Sequence, residues 1–390
     1  MYIPRKLEKL FLSALKQFPV CLITGPRQAG KSTLLRNFLK EYLYVTLDDP
    51  LMRTLANEDP KLFLSMHPAP LIIDEIQYAP GLLSFIKMYV DENRRSYGQY
   101  VLTGSQIFQL MKGVSESLAG RVAIFNLYPL SWDEIKTVVG YETTLYDERK
   151  CAEQIVQGFY PEFFSTPQLD KHLWFSSYLS TYVERDVRNI KSITDLGRFQ
   201  IFISLLAARA GKLLNMSEIG KECGITQPTV RDWLSILEST YMIYLLKPYH
   251  NNQTKRLVKS PKLYFVDTGL LCYLLGIDTA ERFFKSSERG AIFENMVVME
   301  CRKRLAAAKG YSQCYFYRTA SGVEVDLVVE REGEIDAYEI KWAKTLSRDM
   351  AESLALFMKE HPVRTASVIS LHEENVPLLE GISGVHWSSI

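Results

Sequence analysis

Residues 25–32 read Gly-Pro-Arg-Gln-Ala-Gly-Lys-Ser, the pattern G-x-x-x-x-G-K-S. They stand between a short apolar run, Val20–Thr24, and a segment of helical periodicity that starts at Lys31. Glycines at the two ends let such a loop curl until its backbone N–H groups face phosphate oxygens at the mouth of a helix. Lys31 is then placed to reach the β and γ phosphates, and Ser32 to ligate Mg2+. Gly25, Pro26, Arg27, Gln28, Ala29, Gly30, Lys31, Ser32 and Thr33 form the binding loop. The ligand this implies is ATP with Mg2+.

A second apolar run, Leu71-Ile72-Ile73, ends in Asp74-Glu75. In parallel sheets the strand ends face the ligand crevice. Asp74 is expected to hold the magnesium shell and Glu75 to polarise the attacking water. Transfer to a second nucleotide does not need Glu75, so the pair favours hydrolysis. A third run, Tyr100–Gly104, ends at Ser105, which is placed to sense the γ phosphate or orient water, or simply to end a strand. Arg121 follows Leu118-Ala119-Gly120. It reads as an arginine finger, acting within the chain or across a subunit interface, or as a solvated residue at a strand start.

Chemistry-bearing residues recur near the C-terminal end. Val323–Val329 and Ile335–Lys341 both alternate apolar and polar residues, with Glu332-Gly333 between them. If those two residues are the hairpin loop, paired residue numbers sum to 665 and Asp326 lies opposite Glu339. Lys341, two residues on, points to the same face. Upstream, Glu294 interrupts a helical stripe of Ala291, Val298, Cys301 and Leu305, a costly place for a carboxylate without a partner. The order Glu294, Asp326, Glu339-x-Lys341 resembles the PD-(D/E)xK nuclease superfamily. It suggests a second divalent metal in that region, or the same fold without cleavage.

Between these sites, Met216–Cys223, Gly224 and a segment capped by Thr226 carry a helix-turn-helix pattern. Gly220 permits a close helix crossing. Val230, Trp233, Leu234 and Leu237 give the second helix a buried face, leaving Gln227, Thr229 and Arg231 outward, where they would meet a major groove. Tyr241–Pro248 resembles a wing strand. Lys247, Lys255, Arg256, Lys259 and Lys262 form a basic run suited to phosphate contacts. Duplex DNA and protein partners both remain open.

The elements that must position these groups follow from periodicity. A helix over Leu7–Phe18 is expected, then strands at Val20–Thr24, Tyr42–Leu47, Leu71–Asp74, Gln99–Gly104 and Arg121–Leu127. A helix opens at Pro80-Gly81, and the alternation predicts a parallel sheet covered by helices. Ser131–Glu134 has the form of a capping box, and the chain reads as helical from there to about Gly211.

With 390 residues, the chain is too long for one ordinary core. Its 46 Lys and Arg against 45 Asp and Glu exclude a strongly basic nucleic-acid coat, though not a local basic patch. Six scattered cysteines with no C-x-x-C read as reduced thiols. The charged Met1–Leu10 start and the lack of an apolar run of about 18 residues point to a cytoplasmic protein with no membrane span.

GPRQAGKSTLL, LIIDEIQ, VLTGSQ, LAGRV and LYPLSWDEI, with the later YVERDV (182–187) and YFVDTGLL (264–271), resemble a large bacterial and archaeal group of AAA-type ATPases. In that group a C-terminal domain of unknown function follows the ATPase core. The resemblance implies an α/β fold: a P-loop NTPase, AAA-like parallel-sheet core, a winged helix, and a restriction-endonuclease-like C-terminal domain. The expected divisions are 1–135 for the core, 136–211 helical, 212–280 winged helix and 286–390 C-terminal. Oligomers are compatible with this organisation. The function expected is that of an ATP-driven switch or remodeller, with two alternatives: an ATP-gated nuclease, or a regulatory ATP-binding module.

Overall fold

The computed structural model describes residues 2–389 except 94, 105–113, 115–116, 140–146, 167, 183–192, 194 and 250–258. Ser105, Lys255, Arg256 and residues 183–187 of the YVERDV segment lie outside the described residues.

The first sheet has five parallel strands: β1 (Val20–Thr24), β2 (Leu43–Thr46), β3 (Leu71–Asp74), β4 (Tyr100–Gly104) and β5 (Val122–Asn126), in the order β2-β3-β4-β1-β5. β1 is buried along its whole length because both faces of the sheet are covered. Val20 and Leu22 face one apolar cluster, with Leu71, Ile73 and Leu102. Cys21 and Ile23 face the other, under the Leu7–Leu15 helix. Since β4 separates β1 from β3, its end stands between the phosphate loop and Asp74.

Two helices, Pro50–Glu58 and Pro60–Met66, were not among the sequence expectations. Each begins with an Asp N-cap, Asp49 or Asp59, followed by Pro in the first turn. The repeated Asp-Pro pair was the available signal.

The helix Trp132–Val139 starts in the expected capping box. Ser131 N–H donates to Glu134 Oε2 at 2.8 Å, and Glu134 N–H donates to Ser131 Oγ at 3.3 Å. Helices Glu148–Gln157, Glu162–Ser165, Lys171–Tyr182 and Leu196–Ala207 follow. The helix-turn-helix consists of Met216–Cys223 and Gln227–Ser239, with Gly224 left-handed at the turn and Thr226 as N-cap. A Cβ on Gly220 would lie 2.8 Å from the Ile225 carbonyl oxygen, so a side chain there would force the crossing apart.

The strands that follow depart from the expected division. β6 (Ile243–Pro248) and β7 (Lys262–Phe265) do not form a free-standing wing. β6 pairs in parallel with β8 (Ser312–Arg318). With β9 (Glu324–Arg331), β10 (Glu334–Ile340), β11 (Thr365–Ser370), β12 (Val376–Leu379) and β13 (Ile382–His386), they form one eight-stranded sheet in the order β12-β13-β11-β10-β9-β8-β6-β7. The sheet crosses the boundary expected near 286. One apolar core also runs from Ile3 and Trp132 through Trp233 to Trp387. Trp132 and Trp387 meet edge to face within it, their ring centroids 4.3 Å apart.

The β9–β10 hairpin turns at Glu332-Gly333, both with positive φ (51° and 89°), as a two-residue turn matching strand twist requires. The register runs Arg331↔Glu334 to Leu327↔Tyr338, so pairs sum to 665 as expected. Among the described residues no helix is long and apolar enough to cross a membrane.

Candidate nucleotide site and C-terminal carboxylate pocket

The loop after β1 has the backbone its sequence requires. Gly25 has φ 148° and Gly30 φ 91°. A Cβ on Gly25 would sit 2.1 Å from the Leu127 carbonyl oxygen. Lys31 opens the following helix, is 6% exposed, and donates from Nζ to the Gly25 and Pro26 carbonyls at 3.0 and 2.9 Å. The loop is braced from the N-terminal segment. Arg5 donates to the Ala29 carbonyl at 2.8 Å and to the Tyr128 carbonyl at 2.6 Å, and its Nε lies 3.2 Å from Glu134.

Ser32 Oγ donates to Asp74 Oδ2 at 2.8 Å. Tyr44 OH donates to the same oxygen, and Thr103 Oγ1 donates to Asp74 Oδ1. Thr103 Oγ1 also accepts from Glu75 N–H at 3.1 Å. Lys31, Ser32, Asp74 and Glu75 therefore lie at the C-terminal ends of β1 and β3, joined by the Ser32–Asp74 bond, with Thr103 holding Asp74 and Glu75. Glu75 holds a left-handed backbone, φ 59°, uncommon for a residue with a Cβ. Its side chain is half-buried and accepts from Gln77.

Arg121 lies elsewhere. It precedes β5, and Val122 pairs with Val20, the first residue of β1, whereas the loop follows Thr24 at the other end. Five strand residues place it roughly 15 Å away. Asp91 holds its guanidinium at 2.7 and 2.9 Å. An arginine finger acting within the chain is thus ruled out by strand direction.

The end of the helix-turn-helix reaches the same crevice. Tyr241, with φ 58°, donates from its hydroxyl to Asn126 Oδ1 at 2.6 Å and lies 2.6 Å from Thr24 Oγ1. Thr24 is the residue before Gly25. The ring meets Tyr128 edge to face at 5.8 Å. Gln227 and Arg231 are exposed as expected, and Thr229 is half-buried. Of the basic run, Lys247 and Lys259 are exposed.

Lys262 is not available for phosphate contact. It is 2% exposed, and its Nζ lies 2.5 Å from Glu324, 3.0 Å from Glu294 and 3.2 Å from Asp326. Tyr264 OH donates to Glu294 Oε1 at 2.6 Å. Lys341 Nζ donates to Glu339 at 2.6 Å and lies 3.9 Å from Asp326, whose Oδ2 accepts from Ile340 N–H at 3.0 Å. Glu294, Asp326, Glu339 and Lys341 are thus brought together, but around a lysine rather than in an ion-binding geometry. Among the described residues no group of three or more His, Cys, Asp or Glu side chains is arranged to hold a metal ion.

Burial, with Asp326 adding to it, pushes the carboxyls of Glu294 and Glu339 up to about 7. Burial opposes the charge of Lys262, yet Tyr264, Glu294, Asp326 and Glu324 hold its ammonium well above the usual lysine range.

A model described as an AAA domain matches residues 17–136, one described as domain of unknown function DUF8612 matches 148–281, and one described as domain of unknown function DUF4143 matches 289–390. Two mycobacterial proteins, uncharacterized protein Rv2008c of Mycobacterium tuberculosis and uncharacterized protein Mb2031c of Mycobacterium bovis, are each 32% identical over 345 residues, 87% of this chain and 75% of theirs. The chain belongs to the family of Rv2008c. Among solved structures it is similar to a Walker-type ATPase, PABY2304, of Pyrococcus abyssi (16% identity, 70% of this chain and 96% of that one, TM-score 0.46). It is also similar to AMPPCP-bound DnaA of Aquifex aeolicus (15% identity, 61% and 89%, TM-score 0.30).

In this member of the Rv2008c family the AAA domain is of the P-loop ATPase type, and its site residues suit a magnesium nucleotide. Lys31 brings an ammonium to the loop, and the Ser32–Asp74 pair presents hard oxygen donors. No local motif marks Arg5 or Tyr44, and Thr103, Tyr241 and Lys262, which the sequence places in a strand end, a wing strand and a basic run, take other partners in the fold. Each acts on a residue 24 or more positions away, with no local motif to mark the pairing.

Proposed function

We propose that the chain binds and hydrolyses ATP with Mg2+ and uses the cycle to reposition its helix-turn-helix and C-terminal units, as a nucleotide-driven switch or remodeller. The observation that carries this reading is the 2.8 Å link from Ser32 to Asp74, beside Lys31 and Glu75. Bound Mg2+ would neutralise charge developing on the phosphates. Lys31 binds the terminal phosphates by its ammonium, Asp74 and Ser32 fix the cation side, and Glu75 orients water and takes up its proton.

Removing the Lys31 charge in Lys31→Ala is expected to abolish nucleotide binding. Glu75→Gln is expected to keep binding and lose turnover, because only water activation is touched. Phosphate release by Glu75→Gln at the wild-type rate overturns the assignment.

Duplex DNA is the partner favoured by the exposed Gln227 and Arg231 at the start of the second helix. Asp232 and Glu238 on the same helix are also exposed and weigh against tight binding. Retention of duplex DNA on filters at low salt, falling as salt rises, supports this reading. No retention at low salt assigns the helix pair to protein contact.

A further inference from the structure

The pocket beneath β9 and β10 carries the carboxylates that the nuclease comparison asks for, yet its geometry is that of an ammonium site. The Lys262 Nζ stands 3.0 Å from Glu294 and 3.2 Å from Asp326, with Glu324 at 2.5 Å. Oxygens binding Mg2+ or Ca2+ gather at about 2.0–2.6 Å from a shared centre. Here that centre is already a nitrogen carrying three protons, directed at three acids. The same Glu294 Oε1 also accepts from Tyr264, and Asp326 Oδ2 accepts from Ile340 N–H, while Glu339 Oε2 is buried without a hydrogen-bond partner among the described residues.

Nor is Lys262 a side chain free to leave. It opens β7, pairs with Leu246 on one side and bridges Leu213 on the other. Leu263 N–H donates to the Lys212 carbonyl at 3.1 Å, fixing the adjoining backbone. A metal ion entering between Glu294 and Asp326 would leave the ammonium buried beside it without its partners, an arrangement of like charges in a dry site.

We infer that Lys262 is the resident cation of this pocket, holding the place a divalent ion would need between Glu294 and Asp326. The carboxylates then serve as an ionic joint. They fasten β7 to the Arg289–Ala306 helix and to β9, and the C-terminal unit acts without a metal-dependent cleavage centre there. The joint ties the two units into one body, which suits a domain moved by nucleotide turnover; the inference itself does not depend on that turnover.

The test is a Mn2+ titration of the full chain without nucleotide, read by the spin-resonance signal of free Mn2+, on wild type, Asp326→Asn, Lys262→Ala and Lys262→Ala with Asp326→Asn. Wild type and Asp326→Asn are expected to bind Mn2+ equally. Any binding they share belongs elsewhere, including the phosphate loop. Lys262→Ala is expected to gain one equivalent, lost again in the double variant, and Mn2+ should raise its melting temperature. A wild-type equivalent that Asp326→Asn removes overturns the inference, and that comparison decides the matter even if Lys262→Ala does not fold. A folded Lys262→Ala that binds no more Mn2+ than wild type overturns it equally.

Discussion

The Tyr241 hydroxyl lies 2.6 Å from Thr24 Oγ1, so the last turn of the helix-turn-helix touches the residue that leads into the phosphate loop. The contact is buried, and its second partner, Asn126, ends the neighbouring strand β5. A shift of the loop must be felt at Tyr241, and through it at the Gln227–Ser239 helix. Tyr241→Phe keeps the ring against Tyr128 and removes only the hydroxyl. We expect a loss of about 0.5–1.5 kcal/mol in stability, the net worth of one hydrogen bond, since Asn126 Oδ1 still accepts from Thr24 Oγ1 at 2.9 Å. We also expect nucleotide-dependent protease protection of the helix pair to weaken while nucleotide binding persists. Protection that stays nucleotide-dependent in Tyr241→Phe places the coupling elsewhere.

Gly25→Ala tests the loop backbone. The added Cβ meets the Leu127 carbonyl oxygen at 2.1 Å, at a φ that L residues rarely adopt. The loop must move, and nucleotide affinity measured with a fluorescent analogue should fall by more than about tenfold, a displacement cost above 1.4 kcal/mol. Unchanged affinity means the loop tolerates a different path.

Arg121→Ala should leave the turnover of a dilute, monomeric sample unchanged, since the guanidinium is at the far end of the sheet from Lys31. The half-buried pair with Asp91 contributes only modestly to stability. If turnover per chain rises with protein concentration in the wild type and not in Arg121→Ala, the residue acts across a subunit interface. Loss of turnover at high dilution contradicts the strand geometry.

The carboxylate pocket predicts a pH dependence. Glu294 and Glu339 titrate near 7 in the folded chain against an ordinary value of 4.5, chiefly through burial. Between those values the folded state holds more protons than the unfolded one, so stability should fall as pH rises from about 4.5 to 7 and level off above. The direction is opposite to that of a salt-bridged acid with a depressed value. Denaturant midpoints followed across this window should show the decline, and Glu294→Gln, which stays neutral, should flatten part of it. A midpoint that climbs through the window removes the assignment.

Local sequence determined the phosphate loop, because each requirement is met within a few residues: glycine where φ is positive, lysine at the helix start, an apolar strand before it. It likewise determined the Glu332-Gly333 hairpin and its register, since alternation and a two-residue turn leave no other pairing that keeps Val325, Leu327 and Val329 buried. The capping box and the helix crossing at Gly220 were legible for the same reason. What the Glu294 carboxylate meets was not. Lys262 lies 32 positions before it, in a run of basic residues that reads as suited to phosphate contacts, and only the joining of β6 to β8 carries β7 and its lysine over the pocket. Parallel strand direction put Arg121 at the opposite end of the sheet from the loop, and strand order set Thr103 beside Asp74 and Glu75. Spacing along a chain constrains what a few turns or one hairpin can do. Which distant charge neutralises which depends on how whole layers stack, and that was decided by burying apolar surface across all the units at once.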